Sequence, residues 1–222
     1  EFCKRKKCLI TGKQLNRFVI GFDINENRIN DLKNNFDYTG QFSKDELKTL
    51  NNLKFTSEKD SLIDADIFII TVPTPIDKFN IPDLKALKEA SILVGQYLSR
   101  RNSKSKPVII YESTVFPGAT EEICIPLIAK YSDLILNKDF FCGYSPERIN
   151  PGDKKHTLTN IVKVTSGSDE ESAEWIDNLY GSIITAGTHR VKSIKIAETA
   201  KIIENTQRDI NIALMNELSI IC

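Results

Sequence analysis

Apolar positions along the chain fall into short runs separated by longer amphipathic stretches. Phe18-Val19-Ile20-Gly21-Phe22-Asp23 reads as a buried strand and Leu53-Lys54-Phe55-Thr56 as a weaker one. Asp66-Ile67-Phe68-Ile69-Ile70-Thr71-Val72 is the strongest, stopped by Pro73 and Pro75. Pro107-Val108-Ile109-Ile110-Tyr111 and Phe140-Phe141-Cys142-Gly143-Tyr144 follow. Near-continuous apolar runs of strand length suit a parallel sheet covered on both faces. Helical patterns lie between them, over residues 25–32, 120–130 and 169–180. Another opens at Pro82-Asp83, with Asp83 as N-cap and Leu84, Leu87, Ser91, Val94 and Leu98 on one face. From residue 192 to 222 no breaker occurs, so a single long helix is expected. Strands alternating with helices of this length predict βαβ units, an α/β fold with a doubly wound parallel sheet.

Composition narrows the function classes. The chain has 222 residues, 41% hydrophobic and 27% charged, which is ordinary for a globular protein. Thirty basic residues balance thirty acidic ones, so the footprint of a nucleic-acid or anionic-membrane binder is missing. No apolar run approaches the length of a membrane span. Five scattered cysteines form neither a CxxC pair nor a disulfide framework, and a cytoplasmic location is the simplest expectation. His156 and His189 are too few and too far apart to suggest a metal.

Candidate chemistry sits at strand ends. Asp23 closes a buried strand ahead of a helix start. In a dinucleotide fold an acid there accepts hydrogen bonds from the adenosine ribose and repels a 2′-phosphate, favouring NAD over NADP. Arg28, five residues on, is placed for the adenine or ribose. An isolated strand-end Asp is more often a helix cap. The glycine fingerprint GxGxxG, due about 20 residues earlier, does not occur, and residues 1–17 hold one glycine. Val72-Pro73-Thr74-Pro75 and Glu112-Ser113-Thr114-Val115-Phe116-Pro117-Gly118 follow two strands, where the loops of an open α/β sheet line the ligand crevice. Thr74, Ser113 and Thr114 therefore offer hydroxyls to cofactor or substrate, although loop hydrogen bonding is the commoner use. Glu147 follows the strand at residues 140–144 and is a candidate general base, with a salt bridge to its neighbour Arg148 as the alternative. Lys201 and Asn205 share a helix face and could form an oxyanion site, or lie on a solvated face.

Five segments in one order are specific together: Phe22-Asp23-Ile24-Asn25, Val72-Pro73-Thr74-Pro75, Tyr111-Glu112-Ser113-Thr114-Val115, the Ser145-Pro146-Glu147-Arg148-Ile149-Asn150-Pro151-Gly152-Asp153-Lys154 run, and Glu198-Thr199-Ala200-Lys201 continuing to Asp209. This series resembles the UDP-glucose/GDP-mannose dehydrogenase family, most of all its UDP-N-acetylhexosamine 6-dehydrogenases, from about Phe18 onward. The resemblance implies a Rossmann-like NAD-binding domain over residues 1–190 and the start of a central dimerisation helix over 191–222. It implies oxidation of the C6 hydroxyl of a UDP-N-acetylhexosamine to the uronic acid for surface polysaccharide, with NAD as cofactor, no metal, and a homodimer. It also implies residue roles. Asp23 and Arg28 hold the adenosine. Val72, Pro73, Thr74 and Ser113 line the cofactor. Thr114 positions a water or the reacting oxygen, and Glu147 acts as base. Arg148 and Asn150 meet the UDP-sugar, and Lys201 and Asn205 stabilise an oxyanion.

Three departures accompany it. The family's first strand and glycine loop are expected ahead of residue 1, residues 3–17 resemble an insertion, and no cysteine has the family's Gly-Gly-His-Cys context. The chain therefore reads as a fragment truncated at both ends, and the alternative is an incomplete chain that binds nucleotide or a partner without turnover. Strands 18–23 and 67–72 should then not be neighbours, and residues 7–11 should be irregular or pair antiparallel. Such a chain is expected to be poorly soluble, to bind NAD weakly or not at all, and not to turn over a nucleotide sugar.

Overall fold

The computed structural model describes residues 1–4, 7–103, 105–148 and 158–222. Two sheets lie side by side. The smaller pairs β1 (Val19–Phe22) with β2 (Leu53–Thr56) in parallel, linked through α1 (Glu26–Lys33) and the short α2 (Lys44–Lys48). The larger has five strands in chain order: β3 (Ile67–Ile70), β4 (Val108–Tyr111), β5 (Phe141–Tyr144), β6 (Lys163–Gly167) and β7 (Thr188–Arg190).

The pairs β3–β4, β4–β5 and β6–β7 are parallel, but β6 runs antiparallel to β5. The doubly wound parallel sheet thus carries one antiparallel pairing. Among the described residues β1 and β3 do not pair, in line with the expectation that they are not neighbours.

Alternation along the strands builds two cores. Phe68, Ile70, Ile109, Tyr111, Cys142 and Tyr144 face α3 (Lys85–Leu98) and α4 (Ile125–Ser132). Ile67, Ile69, Val108, Ile110 and Phe141 face α5 (Glu170–Gly181) with its following residues Ile183 and Ile184. Covering on both sides leaves Ile109 and Ile110 fully buried, worth ~2–3 kcal/mol each. Gly143 permits the close stacking: a Cβ there would collide with Ile176 and the Ser166 carbonyl.

Helix starts follow capping chemistry with one correction. Asn25, Asp169 and Ser193 cap α1, α5 and the long α6 (Ile194–Ile221) through their side chains. At α3 the cap is Leu84 without a side-chain bond. Asp83 lies one residue earlier and accepts from the Lys85 amide. The turn at Thr120–Cys124 is π-helical before α4 begins.

Among the described residues the N-terminal segment forms no parallel strand. Lys7 and Gln14 make an antiparallel bridge. Phe2 packs edge-on against Tyr180 at 5.8 Å, and Arg17 donates to Ser182 Oγ at 2.8 Å, so this segment docks at the end of α5.

Candidate functional site

The loops after β3 and β4 meet at the carboxyl edge of the larger sheet. Thr74 Oγ1 donates to the Thr114 carbonyl at 2.6 Å, and Ser113 Oγ donates to the Val72 carbonyl at 2.7 Å. Two of the three predicted hydroxyls thus fasten the loops to each other. Thr114, exposed, makes no hydrogen bond through its own hydroxyl among the described residues. The loops enclose a cavity of about 300 Å³ lined by Thr71, Val72, Pro73, Thr74, Glu112, Ser113, Thr114 and Glu147.

Six predicted site residues therefore share one cavity: Val72, Pro73, Thr74, Ser113, Thr114 and Glu147. They come from three strand ends, because β3, β4 and β5 are parallel neighbours.

Buried charges hold this edge in place. Glu198 of α6 is fully buried and accepts from the amides of Gly118 at 2.5 Å and Thr120 at 2.9 Å. It ties the loop after β4 to the long helix. Gly118 takes φ +98°, a left-handed value that side chains avoid, which aims its amide at the carboxylate. Burial pushes the Glu198 carboxyl up, against hydrogen bonds from Thr120 and Gly118. The Lys201 ammonium, one turn on and half-buried, donates to the Glu147 carbonyl. Burial lowers its pKa, with Glu204 pulling the other way.

Glu112 carries a role that the sequence reading missed. Its Oε1 receives the Tyr180 hydroxyl and lies 3.2 Å from the ammonium of Lys163, which is 3% exposed. Burial first, then the Glu112 charge, drive the Tyr180 hydroxyl far above its usual pKa, so it remains a donor.

Other predicted residues lie apart from the cavity. Arg148 pairs with Glu204 at 3.2 Å, and Glu204 also pairs with Arg208 at 3.1 Å. Arg148 lines a second cavity of about 550 Å³ beside the outer part of α6. Asn205 is exposed and lines neither cavity. Asn150 lies outside the described residues, as does His156. Glu147 Oε1 accepts from the Arg148 amide at 2.7 Å.

At the end of β1, Asp23 accepts from the Asn25 amide at 2.8 Å while remaining exposed, so it does assist the helix start. Arg28 pairs with Asp37 at 2.8 Å and stacks over Tyr38 at 4.5 Å, and its Nη1 is buried without a hydrogen-bond partner among the described residues.

Cys124 and Cys142 are buried, and burial pushes the Cys124 thiol up to about 11 and the Cys142 thiol well above its usual value. Neither is a ready nucleophile. Among the described residues no group of acidic, His or Cys side chains is arranged for a metal, and no helix is long and apolar enough to cross a membrane.

Comparison with known proteins fits this geometry. Residues 7–184 match the profile of the UDP-glucose/GDP-mannose dehydrogenase family, NAD binding domain, so the match begins ahead of Phe18. The chain is 56% identical to Protein CapL of Staphylococcus aureus over 203 residues, 91% of this chain and 46% of that protein. It is 54% identical to a UDP-N-acetyl-D-glucosamine 6-dehydrogenase of Salmonella typhi over 205 residues, 92% of this chain and 47% of that one. A GDP-mannose dehydrogenase from Pseudomonas aeruginosa, solved as a ternary complex, superposes with a TM-score of 0.82 at 23% identity, over 90% of this chain and 47% of that one, which shows the shared fold. The chain thus spans about half the length of the curated relatives it matches. With its strand-end cavity and its match to the family's NAD-binding domain, this chain belongs to the UDP-glucose/GDP-mannose dehydrogenase family.

Proposed function

We propose that this chain contributes the cofactor side of an NAD-dependent dehydrogenase that oxidises the C6 hydroxyl of a UDP-N-acetylhexosamine to the uronic acid, as a step toward surface polysaccharide. The observation carrying this is the convergence of Thr74, Ser113, Thr114 and Glu147 on one cavity at the carboxyl ends of β3, β4 and β5. Ligands of open α/β sheets bind at that edge.

The residues present fit NAD at two ends. Asp23 at the end of β1 suits the ribose hydroxyls, and the orphaned buried Nη1 of Arg28 awaits an acceptor nearby. The cavity suits the reactive ring. The pyrophosphate-binding GxGxxG is not among these 222 residues. Bound NAD would supply the hydride acceptor.

In this reading Thr114 orients the reacting oxygen or a water through its unengaged hydroxyl. Glu147 takes a proton from the attacking water. Lys201, held beside Glu147, stabilises negative charge on the substrate oxygen, and Asn205 joins it only after a movement of its exposed side chain. Arg148 and Asn150 meet the nucleotide sugar. Residues 1–190 form the NAD-binding part and 191–222 begin a central domain. A homodimer through α6 is supported by the exposed Ile203, Ile210, Leu214 and Met215. Five free cysteines support a cytoplasmic setting.

A second reading, nucleotide binding without turnover, is favoured by one observation: Cys124 and Cys142 are fully buried, and burial raises both thiols, so neither is placed to serve as an acylated thiolate. A turnover assay with UDP-N-acetylglucosamine or its galacto epimer and NAD separates the two. Reduced NAD should form, and faster than reduced NADP. Lys201→Ala should lower kcat by about 10²-fold, the size of losing one oxyanion donor. Binding of NAD without reduction in the presence of either sugar would support the second reading instead.

A further inference from the structure

Two elements, β6 and α5, converge on Glu112 without contributing to the roles described so far. Lys163 on β6 is 3% exposed, and its ammonium makes no hydrogen bond of good geometry among the described residues. Its partners are Glu112 Oε1 at 3.2 Å and the Tyr180 ring face at 5.2 Å. Tyr180 on α5 is 1% exposed and donates its hydroxyl to the same oxygen. Burying an ammonium is costly, and the Glu112 carboxylate offsets that cost by its charge at 3.2 Å. Here that arrangement fixes one oxygen of Glu112 from two directions. The other oxygen, Oε2, has no hydrogen-bond partner among the described residues, although an ionised carboxylate accepts through both. Glu112 lines the cavity, and its side chain retains 11% exposure. The neighbouring hydroxyls of Thr74 and Ser113 already donate to backbone carbonyls.

The geometry points to Glu112 as the cavity's fixed acceptor, its Oε2 receiving an N–H from the carboxamide of the nicotinamide. This rests on the cavity being the NAD site. A carboxylate held before the ligand arrives loses little freedom on binding, which is what makes such an acceptor selective. The nicotinamide ring carries one N–H donor group, its carboxamide, and a carboxylate beside the ring distinguishes that group from a methyl ketone of the same shape.

The test compares equilibrium binding of NAD with that of its 3-acetylpyridine analogue, in which a methyl replaces the amide nitrogen. It is made by calorimetry on the protein with all the sequence its gene encodes. The native protein should bind NAD about tenfold or more tightly than the analogue, the scale of a hydrogen bond to a charged group. In Glu112→Gln the amide oxygen must stay with the two donors Lys163 and Tyr180, so the NH₂ turns to the cavity. The ligands' common carbonyl can meet that NH₂, and the preference should fall to within about twofold. Tyr180→Phe keeps the charge and removes one anchor. It should retain binding and reduce the preference by about threefold, which carries the test if the Gln variant melts early. A preference that persists in both folded variants, or is missing in the native protein while NAD binds, overturns this assignment alone and leaves a purely structural ion pair. A native protein that binds neither dinucleotide overturns the assignment together with the NAD reading beneath it.

Discussion

β4 and β1 read alike in sequence and end up in different surroundings. Val108-Ile109-Ile110-Tyr111 is buried at every position, whereas Val19-Ile20-Gly21-Phe22 is half-buried at every position. The cause is cover, not composition. β4 has strands on both sides and helices on both faces. β1 pairs with β2 alone, and only Ile20 and Phe22 pack against the main core. The same contrast separates the two ends of the proposed cofactor site. Glu112 follows β4 and is tied down from α5 and β6, while Ser113 and Thr114 are fastened to the loop after β3 and Ser113 also to Tyr144 of β5. Asp23 and Arg28 follow β1 and are held by neighbours within the same local segment.

The largest test of the contrast is core truncation. Ile110→Ala should cost about 2–5 kcal/mol, because its neighbours cannot collapse into the space. Ile20→Ala, on the half-covered strand, should cost about 1 kcal/mol. Urea unfolding at neutral pH measures both. Equal losses would mean that β1 is as fully packed as β4 and would end the comparison.

A smaller effect probes what fastens the well-held end. Glu198→Ala should cost about 2–3 kcal/mol, since it strips the Gly118 and Thr120 amides of their acceptor in a buried place. Glu198→Gln keeps one acceptor oxygen and should cost roughly half as much. If the two variants unfold at the same urea concentration, then burial of the side chain, and not its two accepted bonds, carries the effect.

How far the sequence foretold this depends on the range of each interaction. Five strands and five of the helices are legible, because apolar runs, Pro stops and cap residues are local signals. β6 escapes because Thr165 and Ser166 interrupt its apolar pattern. Their hydroxyls are satisfied only by distant partners, Asp177 and the Tyr144 carbonyl. β7, Thr188–Arg190, is a short polar edge strand with no signal of its own. In the cavity, Thr74, Ser113, Thr114 and Glu147 are legible because strand-end loops of an open sheet share one edge. Glu112 stands in the same quoted loop, yet its meaning lies in Tyr180, 68 positions away, and in the buried Lys163. Helical spacing puts Lys201 and Asn205 on one face but does not say where that face leaves the core. It leaves between them, with Lys201 half-buried and Asn205 exposed.

The smallest expected effect is a pH dependence confined to the β1 side. The Asp37 carboxylate accepts from the Thr39 hydroxyl at 2.7 Å and from the amides of Thr39, Gln41 and Phe42 at 3.1–3.2 Å, and it pairs with Arg28. Burial alone would raise its pKa. The bonds from Thr39, Arg28 and the Phe42 amide outweigh burial and lower it from 3.8 to about 2. A carboxyl whose pKa is depressed on folding adds stability that is complete above its unfolded value and disappears as pH falls through the folded one. The contribution is roughly 1–2 kcal/mol above pH 4 and vanishes near pH 2. Asp37→Asn should therefore be less stable than the native protein at pH 5, and the two should converge on approaching pH 2. The loss should appear first as faster hydrogen exchange at the Gln41 and Phe42 amides, while the amides of β4 stay protected. A gap between the two proteins that stays constant from pH 5 to pH 2, or acid exchange that opens β4 first, would place the weaker hold on the other side of the molecule.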